Sequence, residues 1–398
     1  MRALPSRCEV LVVGAGPAGS ACAQMLARAG REVAIVDQHA FPRDKTCGDG
    51  LIPDAHAALA RLGVLDEVMA LAQPVHHVSC FGSRGGRVDV PGRLAVLQRR
   101  VLDHVLLRAA ERAGARLLPP ARFEAPLIDG DQVVGARLAA AGHSHEVTAR
   151  WVVLATGAPP QAMIAAGLND RRGPSGVALR GYVHHEAMRD RITTLQIVWH
   201  RRLAGGYGWI FPLPGGVFNI GAGITGTYAE RTHNLRELFA AFCELHADAR
   251  ALVDGGRWDG KLEGAPLRCS LTGARRSRPG MLATGEAIGS TYAFTGEGIG
   301  KAMATGMMAA DAIAAGGGDD ADDAVRARYE AALRELEPRF ALYHKAEHVN
   351  RRPWLTDLVI WRANRSPRIL RRMSGVLEET QNPGRLLSWR GLGKLMFE

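Results

Sequence analysis

The residues best placed to do chemistry lie between Val10 and Gly50. The apolar run Val10 to Val13 leads into Gly14-Ala15-Gly16-Pro17-Ala18-Gly19, and an acid follows at Asp37. Next comes Pro42-Arg43-Asp44-Lys45-Thr46-Cys47-Gly48-Asp49-Gly50. The apolar run predicts a buried strand. Gly14 and Gly16 let the following turn approach a pyrophosphate, and Gly19 lets the next helix pack close to the sheet. The helix N-terminus, beginning near Ala18, then faces the phosphates with its unpaired amides and positive dipole end. Asp37 suits a pair of ribose hydroxyls and would repel a 2′-phosphate, so the adenosine held here is expected to belong to FAD or NAD rather than NADP.

The elements that position these groups follow from periodicity. The first helix runs through Ala21, Leu26 and Ala29 and stops at Gly30, and the strand Val33 to Val36 then delivers Asp37. Helical spacing returns from Arg99 through Leu102 and Leu106 to Gly114, with a strand expected at 115–118. Trp151 to Thr156 predicts another buried strand, ending on Gly157, a small-residue turn where backbone can approach a cofactor. The texture then changes. Residues 177–183, 193–200, 207–213 and 217–224 read as strands of an antiparallel sheet. Cofactor-type sequence resumes at Met281 to Gly289 and continues through Thr295-Gly296-Glu297-Gly298-Ile299, where glycines again precede a helix. The linker Gly316 to Asp323 precedes a helix expected over 324–336.

These elements predict an α/β protein. A discontinuous Rossmann-like FAD-binding domain is expected over 1–75, 97–165 and 270–320, an antiparallel-sheet substrate domain over 76–96 and 166–269, and a helical region over 321–398.

Composition sets limits. The 398 residues are 47% hydrophobic and 23% charged, which suits a globular enzyme with a sizeable core. No apolar stretch reaches membrane-spanning length, and Met1 to Arg7 lack the pattern of a signal peptide, so a cytoplasmic location is expected. The six cysteines have no CxxC spacing, which argues against a disulfide framework or zinc site. The net charge of +10 is uneven: residues 338–398 carry 12 Lys/Arg against 5 Asp/Glu. Trp354, Trp361 and Trp389 and residues such as Leu358, Ile369 and Leu377 are interspersed with those arginines, which predicts amphipathic helices rather than a nucleic-acid-binding tail. Two readings stay open for 338–398: peripheral contact with a membrane surface, or packing on the core with arginines shown to solvent.

Three segments together resemble the FAD-dependent geranylgeranyl reductase family, within the wider hydroxybenzoate-hydroxylase-like flavoproteins. They are Pro42-x-x-Lys45-x-Cys47-Gly48-x-Gly50; Tyr207-x-Trp209-x-Phe211-Pro212 followed after eight residues by Gly221-x-Gly223; and Gly296-Glu297-Gly298-Ile299. The resemblance spans residues 8 to about 310. It implies that Tyr207, Trp209 and Phe211 line a lipid-sized cavity over the flavin and that Arg99 lies near the flavin. It also implies that Gly48, Gly296, Gly298 and Ile299 border the cofactor. Two positions depart from the family pattern: Glu286 stands where an Asp usually holds the ribityl chain, and Ala293 where a proline is common.

The chemistry implied is hydride transfer from reduced flavin to one carbon of an alkene, with a proton reaching its neighbour, and Cys47 as donor or relay of that proton. A flavin monooxygenase acting on an aromatic or polyketide-type molecule is the main alternative, with a halogenase the weakest enzymatic option because Tyr207-x-Trp209-x-Phe211-Pro212 departs from the halogenase signature. A non-catalytic prenyl-lipid binder, as in the Rab GDP-dissociation inhibitors of similar fold, is the alternative of a different class. The intact Gly14, Gly16, Gly19 and Asp37 speak against it. The electron donor is expected to be NAD(P)H, a ferredoxin or a reductase partner, since the chain carries a single dinucleotide fingerprint.

Overall fold

The computed structural model describes residues 4–226, 234–316 and 322–381. Strand Arg7–Val13 forms because its inward residues are apolar and β-branched, and it is sandwiched on both sides: Val10 pairs with Val33 and with Trp151 in parallel register. Every residue of the neighbouring strand Val33–Val36 is buried, Val33, Ile35 and Val36 each contributing about 1.5–3 kcal/mol by leaving water. The sheet runs Ser277–Arg278, Met281–Ala283, His143–Leu154, Arg7–Val13, Val33–Val36, Arg116–Leu117. The hairpin Arg122–Asp129 and Gln132–Ala140 joins it through His143–Leu154. This parallel core carries helices Pro17–Arg28, Arg99–Arg112 and Ile299–Ala315. Parallel strands that end side by side on glycine turns create a crevice at their carboxyl edge, the place where such sheets bind ligands.

The second sheet runs Arg257–Leu267, Gly176–His184, Val217–Thr225, Gly206–Leu213, Leu195–Val198, Gln73–Phe81, Arg87–Val96, Gly50–Leu51. It is antiparallel except that Leu195–Val198 runs parallel to Gln73–Phe81. Its short last strand, Gly50–Leu51, pairs with Arg87–Val96 and so welds the Cys47-to-Gly50 loop to the second sheet. The two sheets thus share the segment that joins them.

The helix expected over 324–336 runs further, Asp322–Ala346, and passes through Pro338. Tyr329, Leu333, Phe340 and Tyr343 of this helix are buried in the first core, which explains its persistence: tertiary packing outweighs the proline's local cost. Helices Pro353–Ala363 and Pro367–Leu377 follow, each opened by a proline in its first turn. They lie on the second sheet, with Val359, Ile360, Ala363 and Ile369 buried against Val78, Val90 and Leu94. Part of the linker from Gly316 and all of 382–398, including Trp389, lie outside the described residues.

Candidate active site

The pyrophosphate turn is built by two glycines with separate jobs. Gly14 adopts φ +103, and a Cβ there would run into the Ala155 carbonyl of the adjacent strand. A Cβ on Gly19 would overlap the Gly14 carbonyl, so the first helix packs onto the turn only because that atom is missing. Gly16 instead faces the guanidinium groups of Arg43 and Arg99. Helix Pro17–Arg28 begins there, so its free amides and two arginines converge on one spot.

Asp37 is buried and its two oxygens accept from backbone amides, Ala15 at 2.9 Å and His39 at 3.0 Å. A carboxylate oxygen has two lone pairs, so each retains one for a ribose hydroxyl. We expect Asp37→Ala to lower the flavin retained through purification severalfold, read as the ratio of flavin to protein absorbance; an unchanged ratio would remove Asp37 from the adenosine site.

Arg99 is anchored by a buried ion pair. Its guanidinium donates to both oxygens of Asp103, at 2.7 and 2.8 Å, and Arg43 donates to the same carboxylate at 2.9 Å. Burial alone would pull Arg99 down, but the charge of Asp103 holds it firmly protonated. The arginine expected near the flavin borders the same cavity as Cys47.

The loop bearing Cys47 is held from behind. Asp49, fully buried at φ +66, accepts from the Tyr182 hydroxyl at 2.6 Å, from Asn219 Nδ2 at 2.8 Å and from the Arg99 amide at 3.2 Å. Asn219 also donates to the Cys47 carbonyl at 2.7 Å and accepts from Trp209 Nε1 at 2.8 Å. Arg180 clamps the front of the loop, donating to both oxygens of Asp44 at 2.8 Å while stacking over Tyr182 at 4.1 Å. None of Arg43, Asp44, Asp49, Arg180, Tyr182 or Asn219 was among the residues the sequence marked for the site.

Tyr207, Trp209 and Phe211 alternate along Gly206–Leu213 and so share one face. Phe211 packs against Gly48 and Gly50, Trp209 is fixed by Asn219, and the Tyr207 hydroxyl donates to the Thr295 carbonyl at 2.6 Å. That last bond joins the aromatic wall to the Gly296-to-Ile299 turn, from which helix Ile299–Ala315 starts. Trp199 extends the wall, its ring 5.9 Å from Tyr207, and its indole donates to Asn350 at 2.9 Å.

These groups surround one cavity of about 770 Å³. Gly14, Gly16, Ala18, Asp37, Cys47, Gly48, Arg99, Gly157, Glu286, Gly296, Gly298, Ile299 and the three aromatic residues all border it, whereas Gly19 does not and instead packs behind the turn on Gly14. Glu286 accepts from Lys45 at 3.4 Å and from Thr291 at 3.4 Å. Ala293 is buried and does not border the cavity. Beyond the aromatic wall the lining turns apolar, with Val78, Val90 and Leu195 of the sheet opposite Val359, Met373 and Leu377 of the last two helices.

The residues present fit a flavin dinucleotide. Besides the Asp37 lone pairs and the arginine-flanked amides, the buried hydroxyls of Thr156 and Thr295 border the cavity without a hydrogen-bond partner, as expected of groups that meet a polar ligand. Fold and site together define a flavin-dinucleotide-binding oxidoreductase fold.

Comparison with known proteins agrees. Residues 7–204 match the family model described as an FAD binding domain. The chain is 32% identical over 328 residues to the menaquinone reductase of Mycolicibacterium smegmatis, covering 79% of this chain and 78% of that protein. It is 31% identical over 310 residues to digeranylgeranylglycerophospholipid reductase 2 of Methanopyrus kandleri, covering 77% and 76%. A geranylgeranyl bacteriochlorophyll reductase-like crystal structure from Thermoplasma acidophilum superposes with a TM-score of 0.76 over 99% of this chain and 96% of that one, at 20% identity, which shows the shared fold. The chain belongs to the FAD-dependent geranylgeranyl reductase family. Its cofactor is FAD. No helix among the described residues is long and apolar enough to cross a membrane.

Proposed function

We propose that this protein saturates C=C bonds in the polyprenyl chain of an isoprenoid lipid or quinone. The observation that carries the reading is the continuity of the cavity, from the arginine-flanked dinucleotide end, past Cys47 and the Tyr207-Trp209-Phe211 wall, into an apolar chamber under the last two helices. A polyprenyl chain needs such a chamber, whereas a small aromatic substrate would leave it unfilled. The names of the relatives, a menaquinone reductase and a digeranylgeranylglycerophospholipid reductase, support the same substrate class.

Bound FAD, once reduced by a nicotinamide or ferredoxin-type donor, supplies the hydride. The chain's residues do the rest. Trp209, Tyr207 and Phe211 hold the alkene and exclude water. Cys47 gives its thiol proton to the neighbouring carbon, and the Arg99 guanidinium on the wall of the same cavity stabilises the thiolate left behind.

Substrate supply is part of the proposal. Trp354 and Trp361 are 53% and 48% exposed. They stand, with exposed Arg371 and with Arg365 of the intervening turn, on the two helices whose inner faces wall the chamber. An anionic membrane surface suits this combination, the indoles entering the interface and the arginines meeting headgroups.

The direct test is anaerobic incubation of dithionite-reduced protein with menaquinone bearing an unsaturated tail. The expected product is heavier by two hydrogens in the tail; recovery of unchanged quinone at full flavin occupancy would refute the reading.

A further inference from the structure

Alkene reduction consumes one proton per bond, and a single thiol cannot supply protons indefinitely. We infer that Glu297 is the proton store of the site, a carboxylic acid that yields its proton during each turnover and is reloaded through Asp54, Lys301 and Glu379. The inference rests on the reductase reading above and extends it to a residue with no assigned role.

Glu297 lies in the turn that borders the cavity between Gly296 and Gly298, and its Oε2 is buried with no hydrogen-bond partner. Behind it sits Lys301, in the first turn of helix Ile299–Ala315, with a side chain only 7% exposed. Lys301 Nζ donates to Asp54 and to Glu379. Three carboxylates therefore surround one ammonium, and two of them take its hydrogen bonds. Arg339 donates to the second oxygen of Glu379 at 2.6 Å. Glu297 takes no hydrogen bond from either cation. A buried carboxyl with an orphan oxygen is costly to keep charged; burial raises Asp54 as well, but the Lys301 ammonium bonds Asp54 and Glu379 and not Glu297, so Glu297 is the member of the group that keeps its proton.

The electrostatics agree in direction. Burial, reinforced by Asp54 and Glu379 and opposed by Lys301, pushes the Glu297 carboxyl up to about 8. The other titratable groups that feel its charge are Tyr207, Tyr292 and Tyr343, and burial pushes all three phenols upward, so none competes as an anion. A carboxyl poised near neutrality is what proton delivery at that pH needs.

The balance is simple. The hydride brings both electrons to one carbon as one C–H bond forms, and the Cys47 S–H proton forms the second. The O–H bond of Glu297 then breaks to restore the thiol, so Cys47 is unchanged and Glu297 is left ionised. Glu379 joins Lys301 to Arg339, whose side chain is 51% exposed, so water at this edge supplies the returning proton to the Glu379 carboxylate while the guanidinium keeps its own.

The test uses flavin-loaded protein and Glu297→Gln, which keeps the shape but holds no acidic proton. Infrared spectroscopy of the wild type should show a protonated-carboxyl band that titrates near pH 8 and is missing from the variant. Repeated anaerobic turnover of unsaturated menaquinone should fall about tenfold per pH unit above pH 8 in the wild type. The variant should be at least about tenfold slower and lack that break, with unchanged flavin content. A carboxyl band that survives in Glu297→Gln, or a pH break that persists there, would overturn the inference. Wild-type protein that shows the band but leaves the quinone unreduced would instead refute the reductase reading on which the inference rests.

Discussion

Asp103→Ala should destabilise the protein by about 3–5 kcal/mol and release FAD, because it strands two cations in the interior. The side chain of Asp103 is fully buried, and Arg99 and Arg43, 7% and 13% exposed, both bond it. Removing the carboxylate leaves two guanidinium groups beside Gly16 with only Asp37, 3.9 Å from Arg43, as a remaining ion-pair partner. A buried pair costs far more to break than to replace, so the double variant Arg99→Met, Asp103→Leu should recover much of the loss in denaturant midpoint. The flavin should not return with it, since Arg99 is then gone from the cofactor end. Equal midpoints for the single and double variants would show that the charge left behind is not the source of the damage.

Asp49→Ala should cost about 3 kcal/mol and abolish most turnover, through a different route. The aspartate carries no chemistry, but three donors converge on it from three elements, and each net hydrogen bond is worth about 1 kcal/mol. Without it the Tyr182 hydroxyl and one Asn219 donor are buried unsatisfied, and the Asn219 that fixes both the Cys47 carbonyl and the Trp209 indole loses its own anchor. Loop and aromatic wall should loosen together, so that kcat falls while flavin stays bound.

Asp49 also predicts a pH dependence. Burial, against the pull of Tyr182, Asn219, Arg180 and Arg99, pushes its carboxyl up to about 6, above the value of about 3.9 in an unfolded chain. The folded state thus binds this proton more tightly, and the stability it contributes is present below about pH 4 and lost as pH rises through 6. Asp49→Asn tolerates the positive φ and carries no such proton. The stability difference between wild type and Asp49→Asn should therefore shift against the wild type between pH 4 and 6, measured as denaturant midpoints across that range. A flat difference would place the carboxyl at its ordinary value.

The parts of this site that were legible in the sequence are those fixed by local rules. Gly14, Gly16, Gly19 and Asp37 are demanded by a turn, a helix start and the end of a strand, all within thirty or so residues. Tyr207, Trp209 and Phe211 follow from alternation, because period two places them on one face. The hidden parts depend on distant pairings. Asp49 meets Tyr182 and Asn219 across 133 and 170 residues, and no local pattern marks either partner. The parallel pairing of Leu195–Val198 with Gln73–Phe81 was invisible for the same reason, since antiparallel neighbours on the other side gave the run its texture. Glu297 could be seen as part of a motif, but its significance comes from Lys301, Asp54 and Glu379, contributed by three separate elements. The last helices were recognised as amphipathic; which surface their apolar faces cover is decided by the sheet beneath them, where Val78, Val90 and Leu94 await partners.

Stopped-flow spectroscopy of the reduced protein, mixed in separate experiments with an anaerobic polyprenyl alkene and with oxygen, tests the central claim most directly. A reductase of isoprenoid double bonds should be reoxidised by the alkene in the absence of oxygen, with a saturated bond appearing in step with oxidised flavin. No alkene-driven reoxidation, together with a flavin hydroperoxide absorbance on the oxygen arm, would contradict the account and make the protein a monooxygenase.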